Sequence, residues 1–215
     1  MKSKYVIVGA GGHAKSVADA ILSTGDIVSF FEDSKIAGQS IFGIPVVSSL
    51  EEIQQLDSYF LAISIGNNFI RQKVMQDYAL KYPNLILKPV VHAKAYVSPL
   101  SVVGIGSVAL AQSNIGPNTT IGKGCVVNSC ASIDHDSQMD DFSSLGPGAT
   151  LGGSTFVGYR SAVCIGASVK HGISIGSDCV LGAMSYLDKD MANLITAYGV
   201  PAKTVRYRTP DENYL

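Results

Sequence analysis

Charge is scarce in this 215-residue chain: Asp, Glu, Lys and Arg together make up 15% of it, and the formal net charge is −1. A nucleic-acid or anionic-membrane partner calls for a basic face, so neither is expected. Long apolar runs are missing too. No stretch approaches the roughly 20 residues of a membrane span, and Val6 to Val8 is too short for the apolar centre of a signal peptide; the expected location is cytoplasmic. Cysteine is sparse, with four residues. Cys130 and Cys164 show no C-x-x-C spacing, while Cys125 and Cys179 fall at a small-residue position of the repeat described below. All four read as reduced structural thiols, and no metal is expected.

What the chain has in quantity is apolar surface, 47% of its residues, and it is ordered. From Val91 to Leu187 an aliphatic residue returns at every sixth position, through Ile115, Ile121, Val127, Ile133, Met139, Leu145 and Leu151. Four residues after each comes a second, mostly small series that includes Ser107, Cys125, Ala131, Ala149 and Ala167. A period of six fits neither a helix face nor an alternating strand; it is the sequence form of a parallel β-helix. If each hexad supplies a short strand and a turn, three sides close a triangle. A coil then takes about 18 residues and climbs about 4.8 Å, the spacing of paired strands, so residues 18 apart stack. The handedness does not follow from the pattern.

The front of the chain reads differently. Tyr5 to Val8 is a strand ending in Gly9-Ala10-Gly11-Gly12-His13, before a helix carrying Val17, Ala18, Ile21 and Leu22. Ile27 to Phe31 is a second strand, ending at Glu32-Asp33. A turn at Gly43-Ile44-Pro45 leads to a short helix near Leu50 to Leu56. Tyr59 to Ile65 is a third strand, ending at Gly66-Asn67-Asn68, and the next helix has Ile70, Val74, Met75 and Tyr78 as its apolar stripe. Leu85 to Leu87 adds a fourth strand. This alternation predicts a small parallel, Rossmann-like sheet over residues 1–88, followed by a β-helix over 89–198 and a tail, 199–215, that caps the last coil. The working edge of the sheet is the carboxyl ends of its strands. Gly9, Gly11 and Ala14 with Glu32 also fit the dinucleotide fingerprint, but without a second half the fold offers half a site, suited to one nucleotide; an NAD-linked oxidoreductase ranks last.

Within the hexads, His135 falls at an outward-facing position between Asp134 and Asp136. An outward imidazole beside carboxylates suits a general base, since the carboxylate fixes the tautomer and stabilises the imidazolium. Gly153 lies one coil further along the same column and His171 one coil beyond that, where it reads as an exposed side chain. His92, opening the first hexad, reads as structural.

Four motifs together resemble the bacterial left-handed β-helix sugar acetyltransferases that act on sialic acid or on nucleotide-linked 4-amino-sugars. They are Gly9-Ala10-Gly11-Gly12-His13, Gly66-Asn67-Asn68 with Arg71, Asn128 through Ile133-Asp134-His135-Asp136, and Gly199-Val200-Pro201-Ala202-Lys203. The resemblance implies a homotrimer with acetyl-CoA between neighbouring β-helices, serving surface polysaccharide synthesis. It implies that His135 deprotonates a sugar amine or hydroxyl as it attacks the thioester, with Asp136 raising its basicity. Ser144 stands where some relatives carry a histidine that contacts the acetyl carbonyl. Gly153 offers an N–H beside the thioester, or else serves the turn. Ile165 and Ala183 match backbone contacts to the pantetheine arm. Asn128 reaches the active site from the adjoining subunit, or satisfies a turn.

In the front domain the same resemblance puts Gly11, Gly12 and His13 at the sugar-phosphate and Glu32 and Asp33 at the nucleoside. Gly66 and Asn67 line the same pocket, with Asn67 equally suited to capping the next helix. Lys203, Arg206 and Arg208 read as a solvated tail. The function implied is acetyl-CoA-dependent N-acetylation of a nucleotide-linked 4-amino-6-deoxy sugar. The alternatives are O-acetylation of sialic acid and, from another class, a non-catalytic trimeric binding module.

Overall fold

The computed structural model describes residues 2–214. The front of the chain forms a sheet from β1 (Lys4–Val8), β2 (Ile27–Glu32), β3 (Ser40–Ile41), β4 (Ile44–Val47), β5 (Phe60–Ile63) and β6 (Ile86–Leu87), in the order β3-β4-β2-β1-β5-β6. The central pairings are parallel, as the β-α alternation requires, because α1 (Gly12–Ser23) and α2 (Asn68–Lys81) provide the crossovers. β1 is buried on both faces, with Val6 and Ile7 fully enclosed, which is why it reads as an unbroken apolar run.

Three local readings change. β3 and β4 form an antiparallel hairpin, so the sheet is mixed. Phe42 and Gly43 both take positive φ, 54° and 76°, the signature of a two-residue hairpin turn; phenylalanine is not a usual turn residue, and the hairpin is hidden for that reason. The helix expected near Leu50 to Leu56 is instead two single 3₁₀ turns, Leu50–Glu52 and Leu56–Ser58. On α2, Ile70 is half exposed, whereas Arg71 is fully buried.

From Val90 onward the chain is a triangular solenoid of two-residue strands stacked in three parallel sheets. The register advances by one coil per pairing: Val108 pairs with Val126, Asn114 with Ser132 and Thr120 with Gln138. Each aliphatic column points inward and is enclosed, Ile115, Ile133 and Leu151 being at most 1% exposed. Cys125 and Cys179 sit in the small inward column, fully buried. From Val103 to Leu181 the corners share one backbone device, a residue in the left-handed region three positions after each inward aliphatic. One such column is Asn118, Asp136, Ser154 and Gly172, with φ between 56° and 72°. Asn, Asp and Gly tolerate that region best.

The end of the chain departs from a solvated tail. Strand Ile195–Gly199 continues the longest sheet and Ala202–Tyr207 turns back on it antiparallel. Arg208 is buried, donating to the carbonyls of Asp178 (2.9 Å) and Glu212 (2.6 Å).

Arg71 joins the two halves. Its Nε donates to Gly124 O (2.7 Å) and its Nη2 to Phe142 O (2.9 Å), both in the solenoid; its remaining N–H groups reach Ile65 O, Gly66 O and Asn68 Oδ1 at 2.6–2.9 Å. Met75 and Phe142 pack beside it in a shared apolar cluster. Burial pulls the Arg71 pKa down, yet a guanidinium keeps its charge, and the ring of carbonyls is its solvation. Arg71→Met should lower the unfolding free energy by about 3 kcal/mol or more, because several buried carbonyls lose their donor at once. Urea denaturation checks this.

Candidate active site

The hexad that positions His135 is anchored from within. Ile133 is buried, and the chain leaves the strand Ser132–Ile133 to turn at Asp136, whose φ of 57° makes the corner. His135 therefore projects outward, its side chain 56% exposed. Its Nδ1 lies 2.7 Å from Asp136 Oδ2, and Asp136 Oδ1 accepts a 2.6 Å hydrogen bond from Asn118 Nδ2 one coil earlier. Asp134 turns to the main chain instead, accepting from His135 N at 2.7 Å. An Nδ1–H donated to Asp136 leaves Nε2 with its lone pair facing out, the arrangement a general base needs.

The electrostatics agree. The hydrogen bond to Asp136, and then the charge of Asp134, hold the His135 pKa above its ordinary value. Asp136 is held below the usual carboxylate value, first by Asn118 and then by His135. Gly153 explains the pose of the ring. A Cβ there would come within 2.7 Å of His135 Cε1 and Nε2, so only glycine lets the imidazole lie against the next coil. The turn itself is made by Ser154, with φ 58°.

The remaining site residues gather elsewhere. His13, Gly66, Asn128, Ser144, Ile165 and Ala183 line one cavity of about 440 Å³, along with Cys164, Tyr198 and Tyr214. His135 and Gly153 line a separate hollow of about 490 Å³ with Asp134 and His171. The two lie at different corners of the triangle. In one chain His135 and that cavity do not meet.

At the sheet's carboxyl edge, Gly9 takes φ 94° and a Cβ there would press on Ser64 Oγ at 2.9 Å. Gly11 and Gly12 have open space around them, so their lack of side chain leaves the start of α1 free for close approach. That helix has no side-chain cap and no acidic residue in its first turn, the condition for attracting an anion. His13 is pushed down to about 4 by burial and by Arg71, and its Nε2 makes no hydrogen bond among the described residues. It is a neutral imidazole facing the cavity. Glu32 is half-buried; burial raises its carboxyl, and a hydrogen bond to Tyr78 opposes that. Asp33 accepts from Lys35 N at 3.0 Å. Asn67 caps α2, accepting from Ile70 N at 3.1 Å, while Gly66 beside it lines the cavity. Asn128 Oδ1 accepts from Ser129 N at 3.0 Å, so it both satisfies its turn and borders the cavity.

The PglD N-terminal domain family model matches residues 4–78. GDP-perosamine N-acetyltransferase of Escherichia coli O157:H7 is 26% identical over 96% of this chain and 97% of its own. The acetyltransferase domain of PglB from Neisseria gonorrhoeae superposes with a TM-score of 0.88 at 31% identity, over 95% of this chain and all of that one. PerB from Caulobacter crescentus, solved with CoA and GDP-perosamine, superposes with a TM-score of 0.86 at 30% identity, over 94% and 97% of the two chains. The chain belongs to the hexapeptide-repeat sugar acetyltransferase family.

Like its relatives in that family, the chain builds a left-handed β-helix. Asn118, Arg71 and Tyr214 were not among the site residues read from the sequence. The repeat could have yielded Asn118, which precedes Asp136 by one coil; the motif Gly66-Asn67-Asn68 with Arg71 marks Arg71 but not its burial, and nothing in the spacing marks Tyr214. Among the described residues no cluster of His, Cys, Asp and Glu could hold a metal ion.

Two outcomes follow for the histidines. In an NMR titration of the imidazole protons, His135 should titrate above its ordinary value of 6.5, and Asn118→Ala should move it downward as Asp136 loses its orienting donor. His13 is depressed in the fold, so the unfolded chain takes up its proton first. Stability should therefore fall as pH drops from about 6.5 to about 4, by about 3 kcal/mol. Denaturant midpoints of wild type and His13→Gln, compared across that window, isolate the contribution.

Proposed function

We propose that the chain is an acetyl-CoA-dependent N-acetyltransferase acting on the amino group of a nucleotide-linked 4-amino-6-deoxy sugar. The observation that carries this reading is the His135 array: an imidazole held by Asp136 through Nδ1, with Nε2 free above a surface cleared by Gly153. Its relatives' names supply the substrate class, GDP-perosamine with CoA.

In this reading the sugar amine attacks the acetyl carbonyl of the thioester while His135 Nε2 takes the proton from the nitrogen. The tetrahedral intermediate collapses with cleavage of the C–S bond. The products are an N-acetyl sugar and the thiol of CoA, which regains the proton. Asp136 stabilises the imidazolium in between. The Ser144 hydroxyl is the candidate donor to the oxyanion. A covalent acetyl-enzyme finds no support: Cys164 is the thiol in the cavity, and burial pushes its pKa up, away from the nucleophilic thiolate.

Residues 1–88 would bind the sugar nucleotide, through the free N–H groups of Gly11 and Gly12 at the start of α1, Glu32 and Asp33 toward the nucleoside, and His13 and Gly66 in the cavity. Residues 89–198 would carry the base and the acetyl-CoA groove, bordered by Ile165 and Ala183. The separation of the two hollows supports a homotrimer, in which the His135 corner of one chain faces the Ser144 cavity of its neighbour. Exposed apolar residues at the corners, Ile165 and Met184 among them, suit such a contact. No helix among the described residues is long and apolar enough to cross a membrane; we place the enzyme in the cytoplasm, in surface polysaccharide synthesis.

The reading is tested by thiol release from acetyl-CoA in the presence of GDP-perosamine. His135→Ala should retain the wild-type oligomer and lose about 10²–10⁴-fold in kcat. The acid limb of wild-type kcat/KM should lie above pH 6.5, since His135 must be unprotonated and its pKa is raised. Near-normal turnover in the variant would sink the assignment, and acetylation of hydroxyl acceptors alone would move the enzyme to the O-acetyl class.

A further inference from the structure

Tyr214 lines the cavity that holds His13 and Ser144. Arg160 grips Asp178 through two parallel hydrogen bonds of 2.8 and 2.9 Å, and Arg208 is buried against the carbonyl of that same residue. Arg208 also holds the carbonyl of Glu212 at 2.6 Å and lies 5.7 Å from the centre of the Tyr214 ring. The ring is thereby turned inward. Its hydroxyl oxygen accepts a 3.0 Å hydrogen bond from Asn68 N at the start of α2, and Asn67 Nδ2 approaches Asn213 Oδ1 at 3.4 Å. Tyr214 so becomes part of the cavity wall, beside Gly66, His13, Asn128 and Ser144.

We propose that Tyr214 is a specificity-determining residue of the acceptor site, its phenol O–H donating to an oxygen of the bound sugar nucleotide. This rests on the acetyltransferase reading above. With the oxygen occupied as acceptor by the Asn68 N–H, the phenol's own proton remains for a ligand or for the Ser144 side chain, its other polar neighbour. Burial raises the phenol pKa, so the group is a donor at neutral pH. His13 Nε2, unpaired among the described residues, faces the same space. Two oriented polar groups in a largely apolar cavity are what fixes a small molecule's pose. The tail's ties run to Asn67 and Asn68, at the carboxyl edge of the front sheet where such folds hold nucleotides, which favours the sugar nucleotide over the coenzyme. A cavity of about 440 Å³ persists with Tyr214 in its wall, so the tail bounds the site without filling it.

Calorimetry on the full-length protein tests this with two probes, GDP-perosamine and acetyl-CoA, for wild type, Tyr214→Phe and Tyr214→Ala, alongside steady-state kinetics and melting temperatures. Loss of one buried hydrogen bond predicts about tenfold weaker GDP-perosamine binding for Tyr214→Phe and a larger loss for Tyr214→Ala. Acetyl-CoA affinity and melting temperature should hold. Equal affinity in all three proteins overturns the proposal. So does tighter binding or faster turnover in Tyr214→Ala, which would make the tail an obstruction, or parallel loss of both ligands with a lower melting temperature, which would make it a structural prop. If wild type neither binds nor acetylates GDP-perosamine or dTDP-4-amino-4,6-dideoxyglucose, the enzyme reading falls and takes this proposal with it. Normal wild-type turnover with indifferent Tyr214 variants removes the proposal alone.

Discussion

The guanidinium of Arg71 is the interaction on which the arrangement of this molecule depends. The hexads fix the solenoid by themselves and the β-α alternation fixes the sheet, but neither dictates how one sits on the other. Arg71 does so by directing N–H groups at carbonyls of both halves, at Gly124 and Phe142 on one side and Ile65 and Gly66 on the other. Because those bonds are short and directional, the loop carrying Gly66 is held against the solenoid wall that carries Asn128 and Ser144. The cavity between them is a consequence of that docking.

The His135 array shows a different economy. From Val103 to Leu181 the solenoid repeats a left-handed residue at its corners, and Asp is one of the few residues with a side chain that accept it readily. Asp136 therefore both shapes the corner and orients the His135 ring. The stacking of coils supplies the rest, Asn118 from the coil before and Gly153 from the coil after. His135 is exposed, so its basicity comes from hydrogen bonds and not from burial, and it keeps its geometry without a neighbour.

Much of this was legible in the hexads, because a strict period leaves one solution: inward columns, coil length and the stacking of His135 over Gly153 follow from counting. The role of Gly153 was less legible. Counting gives the column, but only coordinates show that the imidazole fills the space a Cβ would take. Arg71 was invisible as a buried group because it sits in a polar stretch of α2 next to Ile70, and pattern reading assigns the apolar neighbour to the core. Its burial is set by acceptors far away in sequence. Arg208 and Tyr214 escaped for the same reason: their partners, Asp178 and Asn68, lie in other elements. The Phe42-Gly43 hairpin was hidden by an atypical turn residue.

The charge distribution constrains how a sugar nucleotide could be held. Arg71, which holds Gly66 in the cavity wall, has its N–H groups already engaged by carbonyls and by Asn68, so it cannot also form a bidentate phosphate clamp without undoing the docking. His13 cannot substitute: burial and Arg71 keep it neutral at physiological pH. In the proposed reading the phosphate oxygens would meet main-chain N–H at the start of α1, where Gly11 provides no side-chain cap and the first turn lacks an acidic residue. Dipole and N–H groups there favour an anion without a mobile cation. A Cβ at Gly11 or Gly12 would meet nothing within 4 Å, so the space in front of those donors is open. Under the proposed function, phosphate recognition in the front domain would rest on backbone and neutral groups, which leaves the imidazole of His135 at the solenoid corner as the group whose protonation state that chemistry would have to control.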